Sequence, residues 1–538
     1  MRIPGLSGFL RRRATARLRH VMRGYRYLKK TGSLRRIAAV KEALTVTAVF
    51  NSDVALKKYA GLGATASELA VRQFLLLRLV STGLSTALLF SVGCGDRPVV
   101  YPLPSAWRKM LVAHNFKVAN RISSILWVGV VALNFLGGGL LMCKLGMSSM
   151  RNILKSAASM SKEYVYFDSL GPGNLPQFSQ ADKNNDIVSW YLRWPGRAKD
   201  LDTVCHNVIT ADVNVSDGMT FLPLFSPFLP LVSWKSLISF LSDGFFYSCK
   251  AFWGGMTGRW WLPMLLIEII RANHVRAQDP ALLAREYLFH NSNWIYRPLW
   301  TYEAERAGAR IIFYFYSTNV EQFKQSGIYP APLYGWQTMT WPRYLVWDNY
   351  QADFVRRAVG DAVMVDVVGP IPFHSAKPAP LILPTNGIAV FDVQPMRNAV
   401  YQPLGIDIEY YVPRNANCFL MDIHDVAAGA GRIMVFKRKR NLGARLHPDY
   451  ERITSLLSDV ENCLEVDPDI SAVALIEKCR AVISMPFTST AILGRAKGKP
   501  SVYYDPHGLC EKGDRAAHGI PILTGKTELQ EWFSSLPS

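Results

Sequence analysis

The chain has 538 residues, enough for two or three domains with sizeable cores. Hydrophobic residues make up 49% and aromatics 12%, which excludes a mainly disordered protein, and a mean hydropathy of +0.08 points toward contact with a membrane. The net charge of +20 is unevenly placed, for residues 1–41 carry thirteen Lys or Arg and no acid, a pattern suited to an anionic surface, whether lipid or nucleic acid.

Residues 1–160 read as a basic and apolar, membrane-associating helical region. Leu10, Ala14, Leu18, Val21 and Met22 recur at helical spacing among arginines, which describes a membrane-surface helix or, alternatively, a solvated basic tail or RNA-binding arm. No apolar run of signal-peptide length directly follows the basic start, so export is not expected. A short apolar run at 79–94 makes a weak span. The 22 uncharged residues 122–143 are long enough to cross a hydrocarbon core of about 30 Å; a true span and a buried helix of a membrane-resting domain both stay open.

A first α/β domain is expected over 161–370. Strands at 163–167, 309–316 and 344–347 are apolar and β-branched or aromatic. Asp168 opens a Gly-rich turn, Asp168 to Gly173, after the first of them, and Asp348 follows the last. An aromatic insertion at 219–270, broken by Pro223, Pro227 and Pro230, reads as contact with the interface or an acceptor rather than as a spanning helix. The proline-rich stretch 369–380 marks a junction. A second α/β domain over 371–538 has strands at 387–391, 432–436, 464–467, 481–485 and 501–504, alternating with helices, the pattern of a parallel sheet.

Two short pieces of that second domain stand at helix starts just beyond strand ends: Arg445-Leu446-His447-Pro448 and Pro486-Phe487-Thr488-Ser489-Thr490. Pro448 suits the first helical position, and Asp449 and Glu451 suit the positive end of the helix dipole. Such positions are where open α/β sheets bind ligands and where free backbone N–H groups attract phosphate. The eight cysteines are scattered without a C-x-x-C pair, which fits free thiols in a reducing compartment and argues against a zinc site or a disulfide framework.

The order Arg445-x-His447-Pro448, then Pro486-Phe487-Thr488-Ser489-Thr490 before a helix, then Gly498-Lys499-Pro500, resembles the HP and Ser/Thr motifs of bacterial sialyltransferases and Kdo transferases. Pro486-Phe487-Thr488-Ser489 is also similar to the signature of the polysaccharide-biosynthesis PFTS-motif family. The resemblance implies a GT-B-like fold, two Rossmann-type domains facing a cleft, and a glycosyltransferase that draws on a nucleotide-sugar donor, CMP-linked in the sialyl and Kdo type. It further implies no catalytic metal and no cofactor beyond the donor substrate. His447 would donate a hydrogen bond or proton to the departing phosphate. Ser489 and Thr490, with Thr488 and Pro448, would shape the phosphate site, and Arg445 and Lys437 would compensate its charge. The sequence departs from the sialyltransferase pattern in having Thr488-Ser489-Thr490 where that motif has a double serine.

The acceptor base is expected from the first domain, Asp168 ahead of Asp348 and Asp186 third, each against the plain alternative of a turn former or helix cap. The whole reads as a glycosyltransferase of bacterial surface polysaccharide assembly at the cytoplasmic face of the inner membrane. Its partners would be a lipid-linked or membrane-presented glycan acceptor and an anionic membrane surface met by residues 1–41, with no nucleic acid. Two alternatives stand beside it: a CDP-polyol phosphotransferase of teichoic-acid type, and a non-enzymatic membrane or nucleic-acid-binding protein.

Overall fold

The computed structural model describes residues 32–50, 64–79, 82–155, 163–176, 186–208, 214–216, 218–291, 296–318, 321–324, 327–329, 332, 336, 339–372, 382–397, 410–439, 441–468 and 470–537. The basic N-terminal helix expected around Leu10 to Met22 and most of the junction at 369–380 lie outside them.

Fourteen strands among the described residues form two sheets. In chain order they are β1 Tyr164–Phe167, β2 Thr203–His206, β3 Asn214–Ser216, β4 Met219–Pro223, β5 Glu286–His290, β6 Arg310–Tyr314, β7 Arg343–Val346, β8 Met364–Val367, β9 Gly387–Phe391, β10 Ile433–Lys437, β11 Cys463–Val466, β12 Ala481–Ser484, β13 Ser501–Asp505 and β14 Ile522–Thr524. The first sheet runs β3-β4-β2-β1-β5-β6-β7-β8 and is parallel except for the β3–β4 pair. The second runs β11-β10-β9-β12-β13-β14 and is parallel throughout. Order reverses between β1 and β5 in one sheet and between β9 and β12 in the other. Each therefore has a crevice at the carboxyl ends of that pair, the topological switch point where such sheets bind ligands. These are the two Rossmann-type domains expected from the sequence.

Parallel sheets are covered on both faces, and the strands accordingly read as apolar runs. One face of the first sheet carries Tyr164, Tyr166, Tyr287, Phe289, Phe313 and Tyr344 and shares one core with the N-terminal helices. The opposite face, with Val165, Phe167, Leu288, Ile312 and Tyr314, belongs to a core that continues without a break into Ile388, Val390, Phe436 and Ile483 of the second domain. The two domains are thus packed together, not strung apart.

The helical region is a layer on the first domain. The run at 79–94 is helix Thr82–Gly93 with Leu84, Leu88 and Leu89 buried among the other N-terminal helices, so it is a core helix. The longer run is part of helix Asn120–Lys155, 36 residues and about 54 Å at 1.5 Å per residue. It is long and apolar enough to cross a membrane. Its partners are helices Trp234–Met256 and Trp261–Ala277, and close approach needs glycine. A Cβ on Gly138 would come within 2.5 Å of Leu266 Cγ, and one on Gly244 within 2.6 Å of Met142 Sδ. The aromatic insertion expected at 219–270 consists of one strand, β4, in the sheet, followed by these two helices. The prolines fall before the first helix and Pro263 sits in the first turn of the second, where proline costs no hydrogen bond.

Candidate active site at the domain junction

The donor half is built where β9, β10 and β12 end. After β10 the chain passes through a basic turn to His447, which caps helix Pro448–Ser458 by accepting the Asp449 N–H at Nδ1, 3.2 Å. With Nδ1 an acceptor, the proton of the neutral ring sits on Nε2, which is left to donate. Burial lowers the ring's pKa below its ordinary value; the Asp449 carboxylate opposes this and Arg397 adds to it. The backbone fixes the position too, since His447 N–H donates to Pro395 O at 3.0 Å and Met396 pairs with Leu446 in an antiparallel bridge. That bridge brings Arg397 alongside, its Nε donating to Leu446 O at 3.3 Å.

Beneath the helix lies Asp392, the residue after β9. It is fully buried, accepts a short hydrogen bond from Tyr450 Oη, and its Oδ1 has no partner among the described residues. Burial pushes this carboxyl up to about 7 against the pull of the Tyr450 bond. Tyr450 belongs to the helix that starts at His447, so Asp392 anchors that helix to the switch point.

The Pro486-Phe487-Thr488-Ser489-Thr490 turn follows β12 and opens helix Ser489–Ala496. Its hydroxyls are spoken for. Thr488 Oγ1 donates to Met485 O at 2.9 Å, and Thr490 Oγ1 pairs with Ser484 Oγ at 2.8 Å. Ser489 Oγ accepts the Thr318 N–H at 3.1 Å from the loop after β6 of the other domain. Tyr411 Oη donates to Pro486 O at 2.6 Å and accepts the Phe487 N–H at 3.1 Å, and Tyr503 Oη donates to Thr488 O at 2.7 Å. Phe487 fills the junction, 4.9 Å from the Phe323 ring of the first domain. What the turn offers a phosphate is its backbone N–H groups at the start of the helix, while its side chains fix the turn.

Lys437 and Arg445, expected as charge partners, lie apart. Lys437 is buried with Nζ donating to Pro468 O at 2.8 Å, so it ties β10 to the loop after β11. Arg445 is exposed in the turn before His447. Pro448 takes the first helical position, as its chemistry requires.

The acceptor half is at the β1–β5 switch point. Asp168 follows β1, its N–H donating to Leu288 O at 3.0 Å and its Oδ2 accepting from Ser169 Oγ at 2.6 Å. His290, the last residue of β5, is buried, donates from Nε2 to Ser169 O at 3.2 Å, and stacks edge-on against Tyr316. Burial lowers its pKa, while the Ser169 carbonyl and the Asp168 charge oppose the shift. Two buried polar atoms on the same face, His206 Nε2 at the end of β2 and Tyr314 Oη at the end of β6, have no partner among the described residues. Sequence reasoning missed His290, Arg397 and Asp392 as site residues; a polar residue closing an apolar strand was the available signal for His290 and Asp392.

Asp348 is otherwise engaged. It caps helix Asn349–Val359 by accepting the Gln351 N–H at 3.0 Å and pairs with His518 Nδ1 of the second domain at 2.8 Å. Asp186 likewise caps helix Ile187–Arg193 through Ser189. Both match the plain reading of an aspartate after a strand or before a helix.

The two halves meet at their carboxyl edges, as the Thr318–Ser489 bond shows directly. Their junction holds the sequence signature itself, and a family model described as polysaccharide biosynthesis PFTS motif protein matches residues 247–533, more than half of the chain. The chain belongs to this family. No curated protein sequence matches it. Among solved structures it is similar to a variant of the wall teichoic acid polymerase TagF, with 11% identity, 75% of this chain and 89% of that one covered, and a TM-score of 0.37. It is also similar to UGT73P12 of Glycyrrhiza uralensis, complexed with glycyrrhetinic acid 3-O-monoglucuronide, with 8% identity, coverage of 70% and 87%, and a TM-score of 0.31. With TarM the identity is 10%, the coverage 50% and 51%, and the TM-score 0.30, so this PFTS-motif chain spans about half the length of TarM. At such scores the fold assignment rests on strand order and on the meeting of the two carboxyl edges.

Proposed function

We propose that this PFTS-motif protein is a GT-B-like glycosyltransferase of surface polysaccharide biosynthesis, moving a sugar from a CMP-linked donor to a membrane-presented glycan acceptor at the cytoplasmic face of the inner membrane. One observation carries the reading: His447 and the Pro486–Thr490 turn flank β9 at the switch point of one Rossmann-type sheet, and this edge meets the matching edge of the other sheet. In this reading the His447 Nε2–H donates to the phosphate oxygen that loses the sugar. The helix N-termini at Pro448 and Ser489 stabilise the negative charge left on the nucleotide, and Arg445 and Arg397 add to that field. Asp168, with His290 beside it, accepts the proton of the attacking hydroxyl. The capped and paired Asp348 supports the architecture instead. The exposed apolar helices support the membrane location.

The test is nucleotide release by the full-length protein with bacterial membranes as acceptor. CMP released from a CMP-sugar, with sugar incorporated and no phosphate carried into product, is the expected result. Phosphate appearing in the product with a CDP-polyol would establish the phosphotransferase instead. No turnover with any nucleotide-sugar or CDP-polyol, together with full cellular activity of His447→Ala, would leave the non-enzymatic reading.

A further inference from the structure

A cavity of about 520 Å³ opens at one end of the helical layer, between the first turns of helix Asn120–Lys155, helix Ser105–Ala113 and the last turns of helix Trp234–Met256. Its walls are apolar, with Trp127, Val131, Phe135, Phe252, Met256 and Trp260 among them. Trp127 and Trp260 meet edge to face at 5.2 Å, and Phe135 and Phe252 are 6.1 Å apart, so the walls are held by aromatic contacts. The helices that frame it continue outward as exposed apolar surface: Leu133 is 69% exposed, Trp253 70% and Met256 72%. Water is a poor solvent for such a surface, and patches of this kind mark membrane or partner contact.

One end of the cavity is different. Arg108 lines it, with Nη1 donating to Ser124 Oγ and, at 3.4 Å, to Asn120 O, and its buried Nε has no partner among the described residues. This guanidinium lies against the N-terminus of a 36-residue helix, so cation and helix dipole favour the same thing, an anion. The surrounding sequence reinforces the sign: residues 97–155 carry eight Lys or Arg and no acid. On the facing helix Lys250 precedes the lining residue Ala251, and the exposed Arg259 lies between Gly258 and Trp260 in the turn after that helix, while Asp243 is about three turns away from Gly255.

We propose that this cavity holds one acyl chain of an anionic bilayer phospholipid, with its phosphate on Arg108 and the start of helix Asn120–Lys155. The inference rests on the membrane location proposed above but not on the transfer reaction. At about 520 Å³ the cavity falls within the roughly 300–1,000 Å³ of ligand pockets, and its apolar walls suit a fatty acyl chain. Withdrawing a chain from the bilayer into an apolar pocket changes its apolar environment little, so the charge pairing at Arg108 sets the preference for an anionic head group.

The test is lipid retention by the purified full-length protein, read by mass spectrometry and phosphorus content with no turnover measured. Wild type is expected to retain about one anionic phospholipid per chain. Ala132→Trp, which fills the cavity from an exposed position on its wall, should lower retention at least fivefold. Arg108→Gln should abolish the preference for anionic head groups and Arg108→Lys should keep it. This pair decides the matter even if Ala132→Trp misfolds. Unchanged retention in Ala132→Trp, or an unchanged preference for anionic head groups in Arg108→Gln, would overturn the proposal. So would retention of neutral lipid only, of a prenyl phosphate in place of phospholipid, or of lipid only after deletion of residues 1–31. Since binding is read alone, an inactive transferase that retains the lipid separates the failure of the reaction proposed above from the failure of this one.

Discussion

His447 holds its ring by a hydrogen bond from its own helix, which leaves one nitrogen with a defined task. His447→Ala is expected to lower kcat by about 10²- to 10⁴-fold, the usual worth of a positioned acid or donor, with nucleotide affinity changed less than about threefold by calorimetry. Asp392 has a different signature. Its carboxyl keeps a proton up to about pH 7 in the folded protein but only to about 4 in the unfolded chain. The folded state therefore binds the extra proton between those values, and stability declines as pH rises from about 4 to about 7, by on the order of 4 kcal/mol in all. Thermal unfolding followed from pH 5 to 8 should show this decline in wild type and a flatter profile in Asp392→Asn; equal slopes would show that Asp392 does not titrate in that range.

At the level of elements, the turn after β12 depends on helix Ser489–Ala496 lying tight on its sheet. A Cβ on Gly494 would stand 2.3 Å from Ser501 Oγ and 2.7 Å from Val482 Cγ2, so Gly494→Val is expected to cost about 1–3 kcal/mol and to weaken donor binding, both measurable by denaturation and nucleotide titration. Asp348 has two duties that substitution can separate. Asparagine is a good cap, so Asp348→Asn loses only the bond to His518, whereas Asp348→Ala also loses the cap and should cost about 1 kcal/mol more. An Asp348→Asn enzyme with kcat lowered a hundredfold would restore this residue as the base. Much of this was legible in the sequence. The strands β9, β10, β12 and β13 were visible as apolar runs, and both motifs announced helix starts through proline, hydroxyl and acid placement. What stayed hidden was tertiary: Arg397 reaches His447 only through the Met396–Leu446 bridge, and Tyr411 reaches Pro486 only through folding of a distant loop. That 234–256 and 261–277 are helices was not legible, because their aromatic composition suits strands and interfaces equally and the local prolines masked where helix begins.

On the scale of the whole molecule, the segment after β6 adds to the shared core in joining the domains. Lys324 Nζ meets Glu511 at 2.5 Å, Arg515 meets Glu321 at 3.0 Å and lies over the Tyr329 ring, and Phe323 packs on Phe487. A solvent-facing ion pair such as Lys324–Glu511 contributes little singly, so the aromatic contact is expected to dominate. Phe487→Ala should cost about 3 kcal/mol or more and speed proteolysis at the junction, while Glu511→Gln should leave stability nearly unchanged. The apolar helices make a second statement at this scale: high salt alone should leave the protein on membranes, and replacing Leu133, Leu136 and Leu140 by serine should release it into the soluble fraction.

The shared core beneath those helices has a mechanical meaning. Because the N-terminal helices and the β1–β8 sheet form one packed unit, anchoring the helices in a bilayer would fix Asp168 and His290 at a set height above it. The second sheet shares a continuous core with the opposite face of the first, so the same anchor would carry the donor edge with it and hold both edges at one level.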